Sequence, residues 1–152
     1  MSEHHAELNW TRTSADFTYR SYNRDHSITF KHGEPVRFSA APAYLGDEDA
    51  IDPEEAFVAS LASCHLLTFL ALACQHGFVV DSYSDSAVGV LEKNQQGRLA
   101  ITRVTLRPRI AFSGKQPDSD MMLKLHHESH EQCFIANSVK TEVQVESQEV
   151  AA

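Results

Sequence analysis

The longest apolar pattern in the chain is an uncharged run over residues 57–74. Asp52 precedes it as a potential helix cap, a proline follows in the first turn, and Glu55 occupies the capping-box position three residues after the cap. Gly77, just beyond the run, is typical of a helix carboxyl end. The pattern predicts one helix over about 53–76, apolar on nearly every side and therefore buried at the centre of the fold.

Shorter alternating segments on the amino-terminal side predict strands. Phe17 and Tyr19 alternate with polar residues, YNRDH reads as a polar turn, and the segments SITF and VRFSA follow on either side of a second turn, KHGEP. We therefore expect an amino-terminal β-hairpin region at about 10–45.

Strands return after the long helix. The alternation predicts one at about 86–93 and another at about 102–112, with the turn NQQG between them. Asp118 is expected to start a second helix. The carboxyl-terminal VKTEVQVE is typical of a strand whose Val139 and Val143 face inward.

This order of strands, long helix, strands, helix and strand indicates an α+β fold over one domain, residues 1–152. We expect mostly antiparallel pairing around a long buried helix, with a β-α-β region at about 84–147 on its carboxyl-terminal side. The helix is more apolar than one sheet can cover, which favours a homodimer that buries the helices of both subunits together.

Charge and composition exclude several classes of protein. The 152 residues carry a net charge of −8 with no Lys/Arg cluster, which disfavours nucleic-acid binding and docking on an anionic membrane. Hydroxyl groups and His65 within the apolar run, and its acidic flank, favour a buried helix over a membrane span. The amino-terminal residues contain no apolar signal segment, so we expect a cytoplasmic protein.

The three cysteines do not form a disulfide scaffold in a chain of this size. Cys64 lies on the predicted long helix and Cys133 at the end of the second helix. The pair is either a reactive thiol with its resolving partner or two unrelated buried residues, and spacing alone does not decide between them. A reactive thiol needs a nearby cation, which the pattern does not identify. Cys74 is expected to be a core residue.

A metal site is a further alternative. His126, His130 and Cys133 recur at helical spacing on one face, and His65 adjoins Cys64. Imidazole and thiolate are the usual ligands of zinc. The segment lacks a short paired motif such as CxxC, so a solvated helix face that happens to contain a cysteine explains the same pattern.

Three stretches carry a resemblance that bears on these alternatives. They are DPEEAFVASLASCHLLTFLALACQHGFVVDSY, SHEQCFIANSVKTEVQVE and, upstream, YNRDHSITFKHGEPVRFSAAPAYLGD. Together they resemble the OsmC/Ohr family of thiol-dependent peroxidases, and most of all its OsmC-like branch. The resemblance implies an intertwined homodimer, with sheets around central helices and active sites at the subunit interface.

The same resemblance implies a set of site residues. Cys64 matches the family's reactive cysteine and Cys133 its resolving cysteine. Arg24 in YNRDH matches the active-site arginine, with Arg20 as a nearby competitor, and Glu54 matches the glutamate that follows the helix-opening proline. Arg24 would favour the Cys64 thiolate by charge, and Glu54 would pair with Arg24 and aim it.

The implied reaction is the reduction of a hydroperoxide, with organic hydroperoxides favoured by neighbouring Phe57, Leu61 and Phe134. The Cys64 thiolate attacks one peroxide oxygen, an alcohol leaves, and the resulting sulfenic acid condenses with Cys133. An external dithiol then restores both thiols, so no metal, flavin or haem cofactor is required. Phe134 stands where the Ohr branch commonly has proline. An OsmC-fold binding protein without peroxidase turnover is the alternative within this family.

Overall fold

The computed structural model describes residues 1–147, which divide into two compact parts with the boundary between Ala56 and Phe57. The first part contains a three-stranded antiparallel sheet of order β1-β2-β3, formed by β1 (Ala6–Asn9), β2 (His26–Phe30) and β3 (Val36–Phe38). A loop then leads to helix α1 (Pro53–Gln75), which begins in the first part and continues into the second.

The predicted first strand is misplaced. Phe17 and Tyr19 lie in a turn-rich segment rather than in a strand, and the partner of β2 is Ala6–Asn9, outside the predicted hairpin region. Phe17 instead packs against Tyr22, with ring centroids 5.3 Å apart. The aromatic side chains of this segment pack against one another within a loop. Strand β1 is exposed at every position, so its sequence shows little alternation of apolar and polar residues.

A close backbone approach shapes the loop between β3 and α1. A Cβ atom on Gly46 would lie 1.5 Å from the carbonyl oxygen of Ala40, so only glycine fits at this position. The loop is further tied by Ser39, whose amide donates to the carbonyl of Ile51 at 3.0 Å, next to a parallel bridge between Phe38 and Ile51.

The second part carries two further sheets. Its strands and the second helix are β4 (Val79–Asp85), β5 (Val88–Lys93), β6 (Leu99–Leu106), β7 (Pro108–Ser113), α2 (Ser119–Gln132) and β8 (Glu142–Val145). One sheet is two-stranded, with β4 antiparallel to β7. The other is three-stranded in the order β5-β6-β8, with β5 antiparallel and β8 parallel to the central β6. The mixed α+β class, the antiparallel pairing and the long central helix are as predicted.

Both helices begin as their capping residues predict. The Asp52 carboxylate accepts a hydrogen bond from the Glu55 amide at 2.7 Å, and the Glu55 carboxylate accepts one from the Asp52 amide at 3.2 Å, which completes the capping box. Asp118 caps α2 by accepting from the Met121 amide at 2.8 Å. At the end of α1, Gly77 takes the left-handed conformation, with φ of 75°.

Helix α1 supplies side chains to two hydrophobic clusters. Its amino-terminal half contributes Leu61, which packs with Val104 and Leu106 of β6. Its carboxyl-terminal half contributes Phe69 to a cluster with Leu125 of α2 and with residues of β4 and β7. By length and composition α1 also meets the criteria for a membrane span, as core helices do, and its packing in both clusters identifies it as a core helix.

Several sequence expectations are wrong in detail. The single strand expected at about 102–112 is two strands, β6 and β7, which belong to different sheets. Helix α1 is buried along one face only, at Leu61, His65, Phe69, Leu72 and Ala73, rather than on all sides. Cys74, expected in the core, is exposed in its last turn. Strand β4 was not predicted, because most of VVDSYSD is exposed and polar, so its alternation is weak. The single-domain assignment for residues 1–152 stays a prediction.

Candidate functional site

The two cysteines singled out in the sequence lie in contact. Cys64 is half-buried near the middle of α1, and Cys133 is buried at the residue that ends α2. The two side chains are near enough for Cys64 to raise the pKa of the Cys133 thiol. Two cysteines far apart in the sequence therefore share one site, which favours the reading of a reactive thiol with a resolving partner over two unrelated residues.

The surroundings of Cys133 favour its protonated form. Its side chain is only 1% exposed, and this burial, reinforced by the nearness of Cys64, raises the pKa of Cys133 to about 11. The Ala136 amide donates to the Cys133 sulfur at 3.3 Å, which opposes the shift in part. At neutral pH, Cys133 is therefore a protonated thiol, and Cys64 is the member of the pair with access to solvent.

A buried pair of histidines lies beside the thiols on the same two helices. The Nε2 atom of His65 and the Nδ1 atom of His126 are 3.1 Å apart, and the rings stack with an angle of 11° between their planes. Burial, and for His65 the nearness of His126 and His130, lowers the pKa of each histidine of the pair to about 4. Both are therefore neutral at pH 7, so one ring donates a single hydrogen to the other.

Sequence reasoning did not predict this pair, although a signal for it was present. His65 stands midway between Leu61 and Phe69 at intervals of four residues, the spacing of one helix face. Because both neighbours are core residues, the same face carries His65 into the core. The position of His126 opposite it depends on how α2 packs, which spacing does not reveal.

In the first part of the chain, Arg24 is held by its own loop. Its guanidinium donates to the carbonyl oxygens of Tyr22 at 2.9 Å and Tyr19 at 2.5 Å. It also lies over both rings, 4.2 Å from the centroid of Tyr22 and 4.9 Å from that of Tyr19. The carbonyl of Arg24 in turn contacts the His26 ring at 2.9 Å. The Arg24 guanidinium is thus bound by two backbone carbonyl oxygens and two aromatic rings.

The expected ion pair between Arg24 and Glu54 is not formed. Glu54 is half-buried in the first turn of α1, and within residues 1–147 no carboxylate forms a salt bridge with Arg24. The physical reason is that the tyrosine carbonyls already accept the guanidinium hydrogens. Arg20, the competitor for the same role, is exposed in the turn before it.

The residue after Arg24 belongs to an ionic network. Arg37 donates to the carboxylate of Asp25 at 2.6 Å and also to that of Asp47. Ser39, which is fully buried, donates to Asp25 at 2.9 Å and accepts from the amide of Asp47 at 3.1 Å. Hydrogen bonds from Arg37 and Ser39 lower the pKa of Asp25, so the network keeps its charges at neutral pH. It fixes the backbone at the base of Arg24.

The apolar residues expected near the substrate differ in exposure. Leu61 is 1% exposed and belongs to the core, so it does not face a substrate, and Phe57 packs against the same cluster. Phe134, next to Cys133, is 82% exposed. Of the three, Phe134 is the one placed to meet a molecule that approaches the thiols from solvent.

The structure does not support the zinc alternative. Within residues 1–147 no group of three or more His, Cys, Asp or Glu side chains is placed to hold a metal ion. His126 is paired with His65 instead, and the Cys133 sulfur accepts a hydrogen bond from the backbone amide of Ala136.

The protein is thus of the α+β class, with one cysteine on its long central helix and a second, neighbouring cysteine at the end of its other long helix. Comparison with protein families agrees, since the family described as OsmC-like protein matches residues 46–148. The chain belongs to this family. No curated protein sequence gives a significant match.

Solved structures of similar proteins extend the match to nearly the whole chain. An OsmC-like protein of unknown function from Vibrio cholerae shares 47% sequence identity, with 97% of this chain and 100% of that one covered and a TM-score of 0.93. An organic hydroperoxide resistance protein from Elizabethkingia anophelis shows the same fold at 13% identity, with 100% and 98% covered and a TM-score of 0.73. The organic hydroperoxide resistance protein OhrB of Bacillus subtilis matches at 19% identity, 98% of both chains and a TM-score of 0.67.

Proposed function

We propose that the protein is a cysteine-based peroxidase that reduces organic hydroperoxides to alcohols. The observation that carries the proposal is the nearness of Cys64 and Cys133, of which Cys133 is buried with a raised pKa and Cys64 has access to solvent. Membership of the OsmC-like family and the fold shared with organic hydroperoxide resistance proteins support the same activity.

The reaction begins at Cys64. Its thiolate attacks the terminal oxygen of the hydroperoxide, the O–O bond breaks, and the departing alkoxide takes up a proton to leave as an alcohol. Cys64 is left as a sulfenic acid. The neighbouring Cys133 thiol would stabilise negative charge on the Cys64 sulfur before the attack, because a thiol that donates to a thiolate disperses its charge.

Cys133 then resolves the sulfenic acid. Its sulfur displaces the hydroxyl group from Cys64, which leaves as water with the thiol proton, and a Cys64–Cys133 disulfide remains. An external dithiol or a reducing protein returns both residues to thiols by exchange. Every step uses sulfur chemistry and the peroxide itself, so the cycle needs no cofactor.

Arg24 and Glu54 complete the proposal as charged residues that act during the reaction. Arg24 would stabilise the Cys64 thiolate and the developing alkoxide, and Glu54 would orient the guanidinium. This role requires the guanidinium to leave the Tyr19 and Tyr22 carbonyls. The bond to Tyr19 is exposed and the bond to Tyr22 is only partly buried, so water can replace the carbonyl oxygens when the guanidinium leaves.

We also propose that the working protein is a cytoplasmic homodimer. An exposed stripe runs along α1 with no charged residue in it, and such an apolar stripe on a central helix is typical of a surface that another protein covers. A second copy of the chain is the partner that the fold favours, since its own α1 presents the same uncharged stripe. The stripe comprises Ala59, Ser63, Leu67, Ala71 and Cys74.

A thiol count tests the peroxidase directly. The reduced Cys74→Ser protein is given one equivalent of cumene hydroperoxide while peroxide and free thiols are followed together. We expect both thiols and one equivalent of peroxide to disappear, and a dithiol to restore them. In Cys64→Ser the peroxide should persist, while Cys133→Ser should consume one equivalent and stop. Persistence of peroxide with the parent protein would instead favour an OsmC-fold binding protein.

A further inference from the structure

The hydrogen bond between His65 and His126 joins the helices that carry the two thiols. In the part of the chain that the structure describes, no other side-chain hydrogen bond connects α1 to α2. The remaining contact between the helices is apolar and includes Phe69 and Leu125. Apolar contacts tolerate sliding, whereas a hydrogen bond requires its donor and acceptor within a few tenths of an ångström. The histidine pair is therefore the directional link between the helices.

Burial makes this link costly to break. His65 is 1% exposed and His126 is 5% exposed, so a ring that lost its partner would find no water in exchange. The Nε2 atom of His126 is already buried without a hydrogen-bond partner. A buried polar atom in that condition is unfavourable, and a fold that keeps it retains the pair for some benefit other than stability.

The position of the pair relative to the thiols suggests that benefit. His65 follows Cys64 directly on α1. His126 precedes Cys133 by two turns, at a spacing that places both on one face of α2. A slide of one helix by a single residue moves its side chains by about 1.5 Å along the axis. Such a slide would break the histidine hydrogen bond and separate the two sulfur atoms together.

We propose that His65 and His126 are positioning residues, whose hydrogen bond sets the register of α1 against α2 at which the Cys133 thiol meets Cys64. The pair acts on disulfide formation and does not touch the peroxide. The role rests on the proposed thiol cycle, but the contact it controls is measurable without any peroxide.

The test is the equilibrium of the Cys64–Cys133 disulfide in glutathione buffers, measured in a Cys74→Ser background by alkylation and mass spectrometry. The double variant His65→Leu/His126→Leu replaces both polar rings by apolar side chains, a change that is often neutral or stabilising for a buried pair. We expect the equilibrium constant for the disulfide to fall by about tenfold or more, with the urea midpoint unchanged or raised. An unchanged equilibrium constant would overturn the proposal.

Single variants test the geometry with matched chemistry. At position 126, His126→Asn keeps a polar atom near the place of Nδ1, whereas His126→Gln moves it to the place of Nε2. We expect the Asn variant to stay within about threefold of the parent in disulfide equilibrium and the Gln variant to lose about tenfold. If both variants follow the urea midpoint alone, or if both match the parent, the pair does not position the thiols.

The two readouts separate this inference from the proposed function. If the parent protein leaves peroxide untouched while the variants still weaken the disulfide, the peroxidase proposal fails and the positioning role stands. If the parent protein consumes peroxide and the histidine variants leave the disulfide equilibrium unchanged, the positioning role fails and the peroxidase proposal stands.

Discussion

Arg24 lies with its guanidinium carbon 4.2 Å from the centroid of the Tyr22 ring and donates to the Tyr22 carbonyl at 2.9 Å. The same group reaches back to the Tyr19 carbonyl. An arginine held this way is ready to exchange partners, because two neutral carbonyl oxygens bind it less strongly than a thiolate or an alkoxide would. The backbone next to Arg24 is held in place, since the carboxylate of the following residue, Asp25, accepts hydrogen bonds from Arg37 and Ser39.

Replacing Arg24 by lysine should therefore impair catalysis. Lysine keeps the charge but loses the planar set of donors, and we expect kcat/KM for an organic hydroperoxide to fall by about 10- to 100-fold, as for the loss of one charge-assisted hydrogen bond. Steady-state kinetics with cumene hydroperoxide and an excess of dithiol measure it. Arg20→Lys, in the same loop, is the matched control and should stay within about twofold. Equal losses in both variants would show that Arg24 has no special part.

The sequence predicts those elements of the fold whose stabilising contacts are between neighbours in the chain, and it misses those that depend on distant residues. The cap at Asp52 and the end of α1 at Gly77 follow from local rules, because the groups that satisfy the backbone are neighbours in sequence. Phe17 and Tyr19 misled the prediction because their alternation arises from aromatic contacts within a loop. Strand β1 is polar and exposed, so only its pairing with β2 identifies it.

The loop between β3 and α1 should not tolerate a side chain at Gly46. In Gly46→Ala the new Cβ would lie 1.5 Å from the Ala40 oxygen, so the backbone must move and break neighbouring loop contacts. We expect a loss of at least about 3 kcal/mol in the free energy of unfolding, measured by urea denaturation. In Gly33→Ala, the control in the same part, the nearest atom is the Phe30 oxygen at 3.3 Å, and a loss below about 1 kcal/mol is expected. Similar losses in both would contradict the argument.

The exposed stripe on α1 predicts a change of oligomeric state. The parent should sediment at twice the 17.0 kDa of one chain, whereas Leu67→Glu, which places a charge in the stripe, should weaken self-association by about 100-fold or more. Analytical ultracentrifugation over a range of concentrations measures it. Leu123→Glu alters an α2 residue of similar exposure, 68% against 64% for Leu67, and should remain dimeric. A monomeric parent, or two variants with equal affinity, would rule out this stripe as the interface.

The sequence does not show which of the candidate site residues lie together in the fold. Resemblance to a family selects Cys64 and Cys133 together, whereas their spacing alone left two readings open. The exposure of Cys74 shows why, since an apolar sequence around a cysteine does not reveal which face of the helix another element covers. The pairing of His65 with His126 depends on the same packing, so it becomes visible only in three dimensions.

The histidine pair should make the protein lose stability in mild acid. Burial lowers the pKa of His65 and of His126 to about 4, against about 6.5 in an unfolded chain. Between these values the unfolded chain binds protons that the folded chain does not, so the free energy of unfolding falls as the pH decreases from about 6.5 to about 4. The slope is at most about 1.4 kcal/mol per pH unit for each histidine.

Urea denaturation at intervals from pH 7.5 to pH 4.5 measures this loss. Asp25 and Asp47 do not account for it, because hydrogen bonds hold their pKa values below 3.8, so their contribution is lost only at lower pH. The raised pKa of Asp85 acts in the opposite direction, since its protonation in the folded chain stabilises the fold as the pH falls. The variant His65→Leu/His126→Leu should therefore show a flat or slightly rising stability over this range. A variant that keeps the acid loss of the parent would assign the loss to other groups.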